Sequence, residues 1–235
     1  MNTSMEFIPG GERLRTDLGW LQSWHSFSFG EHQDPGNRGH GQLLVLNDDT
    51  VRAGGGFGTH AHSDMEIVTW VLSGELEHQD SEGNHGVLYP GLAQRMSAGR
   101  GIRHSELNAS SEHDVHFVQM WVIPDTAGID PGYEQRDLNE ALDGGGLVPL
   151  ASGQGHEGAV LIHQRDAVLW GARLAVGDSI TVPTGGHVHV FLATGSAALG
   201  DREMIHGDAV RLVNAGEMSL TALDEAAEIL IWVTA

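Results

Sequence analysis

The sequence predicts an all-β chain built from two similar, barrel-like halves. Three observations carry that expectation. Glycine supplies 33 of 235 residues, about twice its usual share, which suits many short strands joined by tight turns. The apolar runs are short, rich in β-branched and aromatic residues, and closed by turn residues. The succession of runs and turns in the first half also recurs in the second.

Taken in order, Leu43-Leu44-Val45-Leu46 is one such run, and Asn47-Asp48-Asp49 reads as the turn that ends it. Met65 to Leu72 is the next, and Ser73-Gly74 returns it into Glu75-Leu76-Glu77-His78. His116 to Ile123 is a strand stopped by Pro124-Asp125. Residues 126–146 hold Pro131-Gly132, three consecutive glycines and one short helical stretch (Asp137 to Leu142), and read as a linker. The theme then repeats at Ala159–Ile162, Ala167–Trp170 and His187–Leu192, with a turn at Thr194-Gly195-Ser196 and a last strand at Glu228–Val233. Aligning Gly74 with Gly195 sets Gly91–Met96 against Gly207–Leu212. The expected division is therefore 1–125, a linker at 126–146, and 147–235.

Composition removes several function classes. There is no Cys, hence no disulfide framework, thiolate metal site or cysteine nucleophile. Asp and Glu number 32 against 12 basic residues, all Arg, for a formal charge of −20. That charge repels phosphate backbones, so no direct nucleic-acid partner is expected. The opening Met1-Asn2-Thr3-Ser4-Met5-Glu6 lacks a charged-then-apolar leader and no apolar run approaches membrane-spanning length. The expectation is a soluble, cytoplasmic protein with no membrane partner. Gly54-Gly55-Gly56 and Gly144-Gly145-Gly146 precede no helix that would make them phosphate loops. No Gly-x-Ser-x-Gly elbow is present either.

The 15 histidines carry more. His60 and His62 are two apart on a predicted strand, so they point the same way, about 6.5–7 Å apart along it. Two such imidazoles can lean onto one cation, each nitrogen about 2.0–2.1 Å from it. His104 and Glu106 repeat the parity on a second strand, and together the four would form a cage of three imidazoles and a carboxylate. Glu66 shares strand parity with His62, so parity alone leaves Glu66 open beside Glu106 as the carboxylate. The half with these residues is the first, since alignment sets His104 against Leu220 or Thr221 in the second.

The spacing resembles the two-part cupin motif. Its first part reads Gly54, His60-x-His62, Glu66 and Gly74; its second reads Gly91, Ser97-Ala98-Gly99, His104 and Asn108, with Ser97 where cupins commonly carry Pro. More narrowly, His60–Thr69, Leu72–Ser81, Met96–Gly99 and Gly101–Glu106 resemble the pirin family, as do His25–Gly30 and Asp34-Pro35. That resemblance runs from about Trp24 to about Arg136; the remainder is similar in length and layout only. It implies two tandem cupin-type, jelly-roll-like β-barrels, the N-terminal one binding a single metal, commonly iron, through His60, His62, His104 and Glu106. Glu66 is then left as a supporting carboxylate.

Members of that family are reported as quercetin 2,3-dioxygenases or as nuclear transcriptional co-regulators. Such a ligand set suits Fe(II), Mn(II), Co(II), Ni(II) or Cu(II), with Zn a further option, and the resemblance makes Fe(II) the expected ion. The expected reaction is dioxygenation of a flavonol such as quercetin, or a similar enolisable aromatic molecule, by O₂. Glu106 would take the proton of the 3-hydroxyl, and the ring would open with loss of carbon monoxide. The competing expectation is a non-catalytic metal or redox sensor that docks on a protein partner. A cupin isomerase is a weaker third reading, since nothing points to a phosphosugar.

Other conspicuous residues receive plainer roles. His187 and His189 align with Glu66 and Val68 and are expected to be structural or pocket-lining. His25 and His40 are assigned no chemistry. His78, His85, His113 and His116 are expected at the surface or hydrogen-bonded. Phe57, Met65, Trp70 and Met120 are candidates for a pocket wall, with core packing as the default. Glu75, Glu77 and Asp80 read as a solvated acidic face.

Overall fold

A computed structural model describes residues 3–235. The first half runs through β1 (Ser4–Ile8), β2 (Leu14–Asp17), β3 (Leu21–His25), β4 (Leu43–Val51), β5 (Gly56–His62), β6 (Glu66–Ser73), β7 (Leu76–Asp80), β8 (His85–Leu88), β9 (Leu92–Ser97), β10 (Ile102–Asn108), β11 (Val115–Val122) and β12 (Gly132–Asp137), then the short helix α1 (Asn139–Asp143). The second half continues with β13 (Val148–Ser152), β14 (Val160–Leu161), β15 (Val168–Leu174), β16 (Ser179–Val182), β17 (His187–Thr194), β18 (Ser196–Leu199), β19 (Arg202–Ile205), β20 (Ala209–Val213), β21 (Met218–Ala222) and β22 (Ala227–Thr234).

Each half is a seven-stranded sheet and a four-stranded sheet. The first half orders them β12-β9-β6-β11-β4-β3-β2 and β5-β10-β7-β8; the second, β1-β20-β17-β22-β15-β13-β14 and β16-β21-β18-β19. The two orders correspond strand for strand through β9/β20, β6/β17, β11/β22 and β4/β15, which is the repeat expected from the glycine alignment. The outer strands come from elsewhere in the chain. β1 crosses to pair with β20 of the second half, while β12 pairs with β9 of the first. The stretch read as a linker thus contributes a strand to the first half's large sheet, and its helix begins at Asn139. Pairing with an edge strand supplies the hydrogen bonds that the local sequence, rich in Gly and charge, does not announce.

The two large sheets meet over a shared apolar core. Val68, Trp70, Val118 and Met120 from one side lie in a single buried cluster with Phe191, Leu230 and Trp232 from the other. Trp70 Nε1 donates to Glu228 Oε1 across this seam at 2.6 Å, and Trp232 Nε1 points at Met120 Sδ at 3.1 Å. Trp70 and Met120 are therefore core residues between the halves, not walls of a pocket. The alternation of β6 and β11 sends the intervening residues (Thr69, Gln119, Trp121) to the opposite face, into the first barrel.

The expected turn at Asn47-Asp48-Asp49 is instead the middle of β4, a nine-residue strand. Ladders to β3 and β11 hold it on both sides, and its polar side chains find partners. His25 Nδ1 donates to Asn47 Oδ1, and Arg13 Nη2 donates to Asp48 Oδ2 at 2.8 Å. His116 Nε2 lies 2.5 Å from Asp48 Oδ1. Turn propensity was outweighed by paired burial. Among the described residues, no helix is long and apolar enough to cross a membrane.

Candidate metal centre

β5 and β10 pair antiparallel with His60 opposite His104. On β10 the residues Ile102, His104, Glu106 and Asn108 point into the barrel and are buried, while Arg103 and Leu107 are exposed. On β5 His60 and His62 face the same interior but lie half-buried at its mouth. The register shifts between His104 and Glu106, so that Glu106 sits opposite Phe57 instead of Gly58. This is a β-bulge in β5, a device that re-aims side chains beside functional sites.

The three imidazoles converge. Ligand-capable nitrogens of His60, His62 and His104 lie within 4.8 Å of one another, and the ring centroids are 4.4–4.9 Å apart. His60 Nδ1–H donates to Gly58 O at 2.8 Å, which leaves Nε2 as the lone-pair nitrogen. The buried His62 Nε2 and both ring nitrogens of His104 have no hydrogen-bond partner among the described residues. Burial and the neighbouring imidazoles hold His62 down to about 4 and His104 to about 2, so both rings are neutral donors at ordinary pH. Buried nitrogens without partners are costly. A divalent cation would satisfy them, and the donor set fits a transition metal with nitrogen and oxygen ligands.

Glu106 falls in a second group, with His78 and His104, also within 4.8 Å. Its carboxylate is buried and accepts from Gln119 Nε2 at 2.9 and 2.7 Å. Burial pushes it up to about 7 against the hydrogen bonds of Gln119. His104 therefore belongs to both groups, with His60 and His62 on one side and Glu106 and His78 on the other.

Sequence reasoning missed His78. It is fully buried and directly opposite Glu106 on β7. Its Nε2 faces Asp80 Oδ2 at 3.3 Å, and its Nδ1 has no partner among the described residues. Asp80, read as solvated, is buried and accepts from Asn84 as well. Tyr133, from the presumed linker, lies over the His78 ring at 4.9 Å. The available signal was alternation, since Leu76, His78 and Asp80 share one face of a strand.

Glu66 does not join the histidines. It is fully buried, with Oε2 accepting from Ser97 Oγ at 2.9 Å and from the His163 backbone N–H at 3.0 Å. The parity argument linking it to His62 fails because β5 and β6 lie in different sheets. The second half holds no equivalent of the site. Its β16–β21 ladder pairs Ile180 with Leu220 where His60 pairs with His104, and Leu199 and Ala197 stand for Asp80 and His78. All four are buried in one apolar cluster. His187 donates to Ala235 O and His189 is buried near Phe27, and neither belongs to the groups that could hold a metal among the described residues. Two cavities of about 340 and 300 Å³ are lined by other residues, around Arg173 and Glu228 and around Asp125 and His163.

The buried carboxylates set a pH dependence. Burial pushes Asp49 up to about 8, with the charges of Asp48 and Glu106 adding to it, and Glu106 lies at about 7. Above about pH 7.5 histidines in the unfolded chain are largely neutral, as His62 and His104 already are in the folded one. The folded state then retains carboxyl protons that the unfolded chain has lost, so stability falls as pH rises. The metal-free protein should lose on the order of 1 kcal/mol between about pH 7.5 and 9.5. Urea unfolding in chelator at the two pH values measures this; a flat or rising profile contradicts it.

Fold and site together define a class: a two-domain cupin whose N-terminal half carries a convergent histidine group of metal-binding chemistry. Family models match the chain as Pirin over residues 10–122 and as a quercetinase C-terminal cupin domain over residues 149–232. A Mycobacterium tuberculosis protein named "Putative quercetin 2,3-dioxygenase Rv0181c" is 51% identical over 234 residues, 99% of this chain and 96% of that protein. Quercetin 2,3-dioxygenase of Escherichia coli is 50% identical over 153 residues, 65% of each chain. The crystal structure of the bacterial pirin YhhW from Escherichia coli in complex with nickel(II) superposes with a TM-score of 0.89 at 36% identity, covering 98% of this chain and 99% of that one. The chain belongs to the pirin family.

Proposed function

We propose that this protein is a metal-dependent dioxygenase that opens flavonols such as quercetin, or a similar enolisable aromatic molecule, with O₂. The observation that carries the reading is the convergence of three neutral imidazoles beside a buried carboxylate in the N-terminal barrel. His60, His62, His104 and Glu106 would hold one divalent ion, iron(II) by our reading. When bound, the ion would supply a Lewis acid for an enolic oxygen and a redox partner for O₂ chemistry.

The protein's own groups account for the remainder. Glu106 is buried, and its carboxylate is held from one side by Gln119 Nε2, which places it as the general base for a flavonol 3-hydroxyl. Trp121 stands edge-on to His62 at 4.9 Å and to Phe29 at 5.6 Å, which suits a flat aromatic guest at the barrel mouth. His60 and His62 are half-buried there, so the site can be reached from that side. The names of the relatives support the same substrate class.

The test is incubation of iron-loaded protein with quercetin, with and without O₂. The expected result is O₂-dependent loss of the flavonol absorption with release of carbon monoxide. A flavonol band that stays constant under air rejects the proposal.

A further inference from the structure

We propose that Gln119 and Trp121 form a positioning pair that fixes the Glu106 carboxylate and ties it to the aromatic mouth of the site; this rests on the dioxygenase reading only for the catalytic use of Glu106. Both project into the barrel from β11, two residues apart, whereas Val118 and Met120 enter the core between the sheets. Gln119 Nε2 donates to both oxygens of Glu106 at 2.9 and 2.7 Å. Trp121 Nε1 donates to Gln119 Oε1 at 3.2 Å.

The chemistry gives this chain a direction. An ionised carboxylate only accepts and an indole N–H only donates. The Gln119 amide can satisfy both in one orientation alone; flipped, it would set oxygen against carboxylate and N–H against N–H. Gln119 is itself buried, with 8% exposure, so water offers little substitute. The carboxylate has about four lone-pair sites, so Gln119 can keep its hold while others remain for a cation. Trp121 also lies against His62 and Phe29. One side chain therefore touches a candidate ligand, the mouth, and, through Gln119, the proposed base. Nothing in the repeat motifs required a glutamine there.

The test uses the full-length protein with Co(II) as probe, reading its affinity by chelator competition and its visible spectrum, beside kcat and KM for quercetin in the iron-loaded form. Gln119→Leu should weaken Co(II) binding by about 10- to 100-fold, the loss typical of a partner that orients a metal ligand, and should lower kcat more than it raises KM. Trp121→Phe keeps an aromatic ring but removes the donor, and should show a smaller loss of the same kind. The double variant should be no worse than Gln119→Leu alone, because the indole N–H acts through the amide. A purely structural role would lower the unfolding temperature and leave the Co(II) affinity and spectrum unchanged. That outcome, or additive losses in the double variant, overturns the proposal. Failure of the wild-type protein to consume quercetin, with the Co(II) effects intact, would remove the enzymatic reading and leave the positioning pair standing.

Discussion

Replacing His104 with leucine should abolish metal binding without destabilising the metal-free protein. His104 is the one residue common to both ligand groups, so its loss breaks the outer histidine triad and the inner set with Glu106 and His78 together. The effect on metal affinity should exceed the 10- to 100-fold expected for an orienting partner alone. The effect on the metal-free fold runs the other way. Both ring nitrogens are buried without hydrogen-bond partners among the described residues, and each such group costs about 1–3 kcal/mol. Leucine has a compatible size, and the second half already carries Leu220 at this ladder position, paired with Ile180 as His104 is paired with His60. The metal-free variant should therefore unfold at the same urea concentration as wild type or at a higher one. A thousandfold excess of nickel(II) over its dissociation constant should stabilise wild type by about 4 kcal/mol and the variant not at all. A variant that still gains stability from nickel would remove His104 from the site.

Turnover should separate Glu106 from Glu66. With glutamine at position 106 the barrel keeps an acceptor for the Gln119 amide but loses its proton acceptor, and kcat for quercetin should fall by roughly 10²- to 10⁴-fold, the range for a positioned general base. With glutamine at 66 the reaction should persist. Glu66 Oε2 accepts from Ser97 Oγ and from the His163 backbone, a residue of the second half, while Oε1 is already unpartnered. An amide there can preserve the first set of bonds only by burying its own N–H₂ group at the unpartnered position. The expected cost is about 1–3 kcal/mol of stability, with metal affinity unchanged. Loss of metal and turnover in the Glu66 variant, with the Glu106 variant active, would reverse the carboxylate assignment.

The distance between these two glutamates marks how far strand periodicity can be read. Alternation placed His60 with His62, and His104 with Glu106, because each pair lies within one strand, where side-chain direction has a period of two. It failed for Glu66, because parity does not carry across the loop into a strand of another sheet. It failed differently for Asn47-Asp48-Asp49, whose turn chemistry was overridden by ladders on both sides and by partners such as Arg13 and His116 that are remote in sequence. The helix in the presumed linker was visible in outline, whereas β12 became a strand only because β9 offered it an open edge.

The sequence alone determined the all-β class, the internal repeat and the half that holds the polar site. These rest on local patterns of composition, alternation and spacing, which need no knowledge of what packs against what. The set of four residues proposed to hold the metal came from the resemblance of its motifs to the pirin family, since parity by itself left Glu66 beside Glu106. Tertiary structure alone decided that His78 stands opposite Glu106, that Gln119 and Trp121 reach it from β11, and that Trp70 and Met120 close the seam between the halves. Those facts depend on register and sheet membership, and register is settled by pairing between segments far apart in the chain.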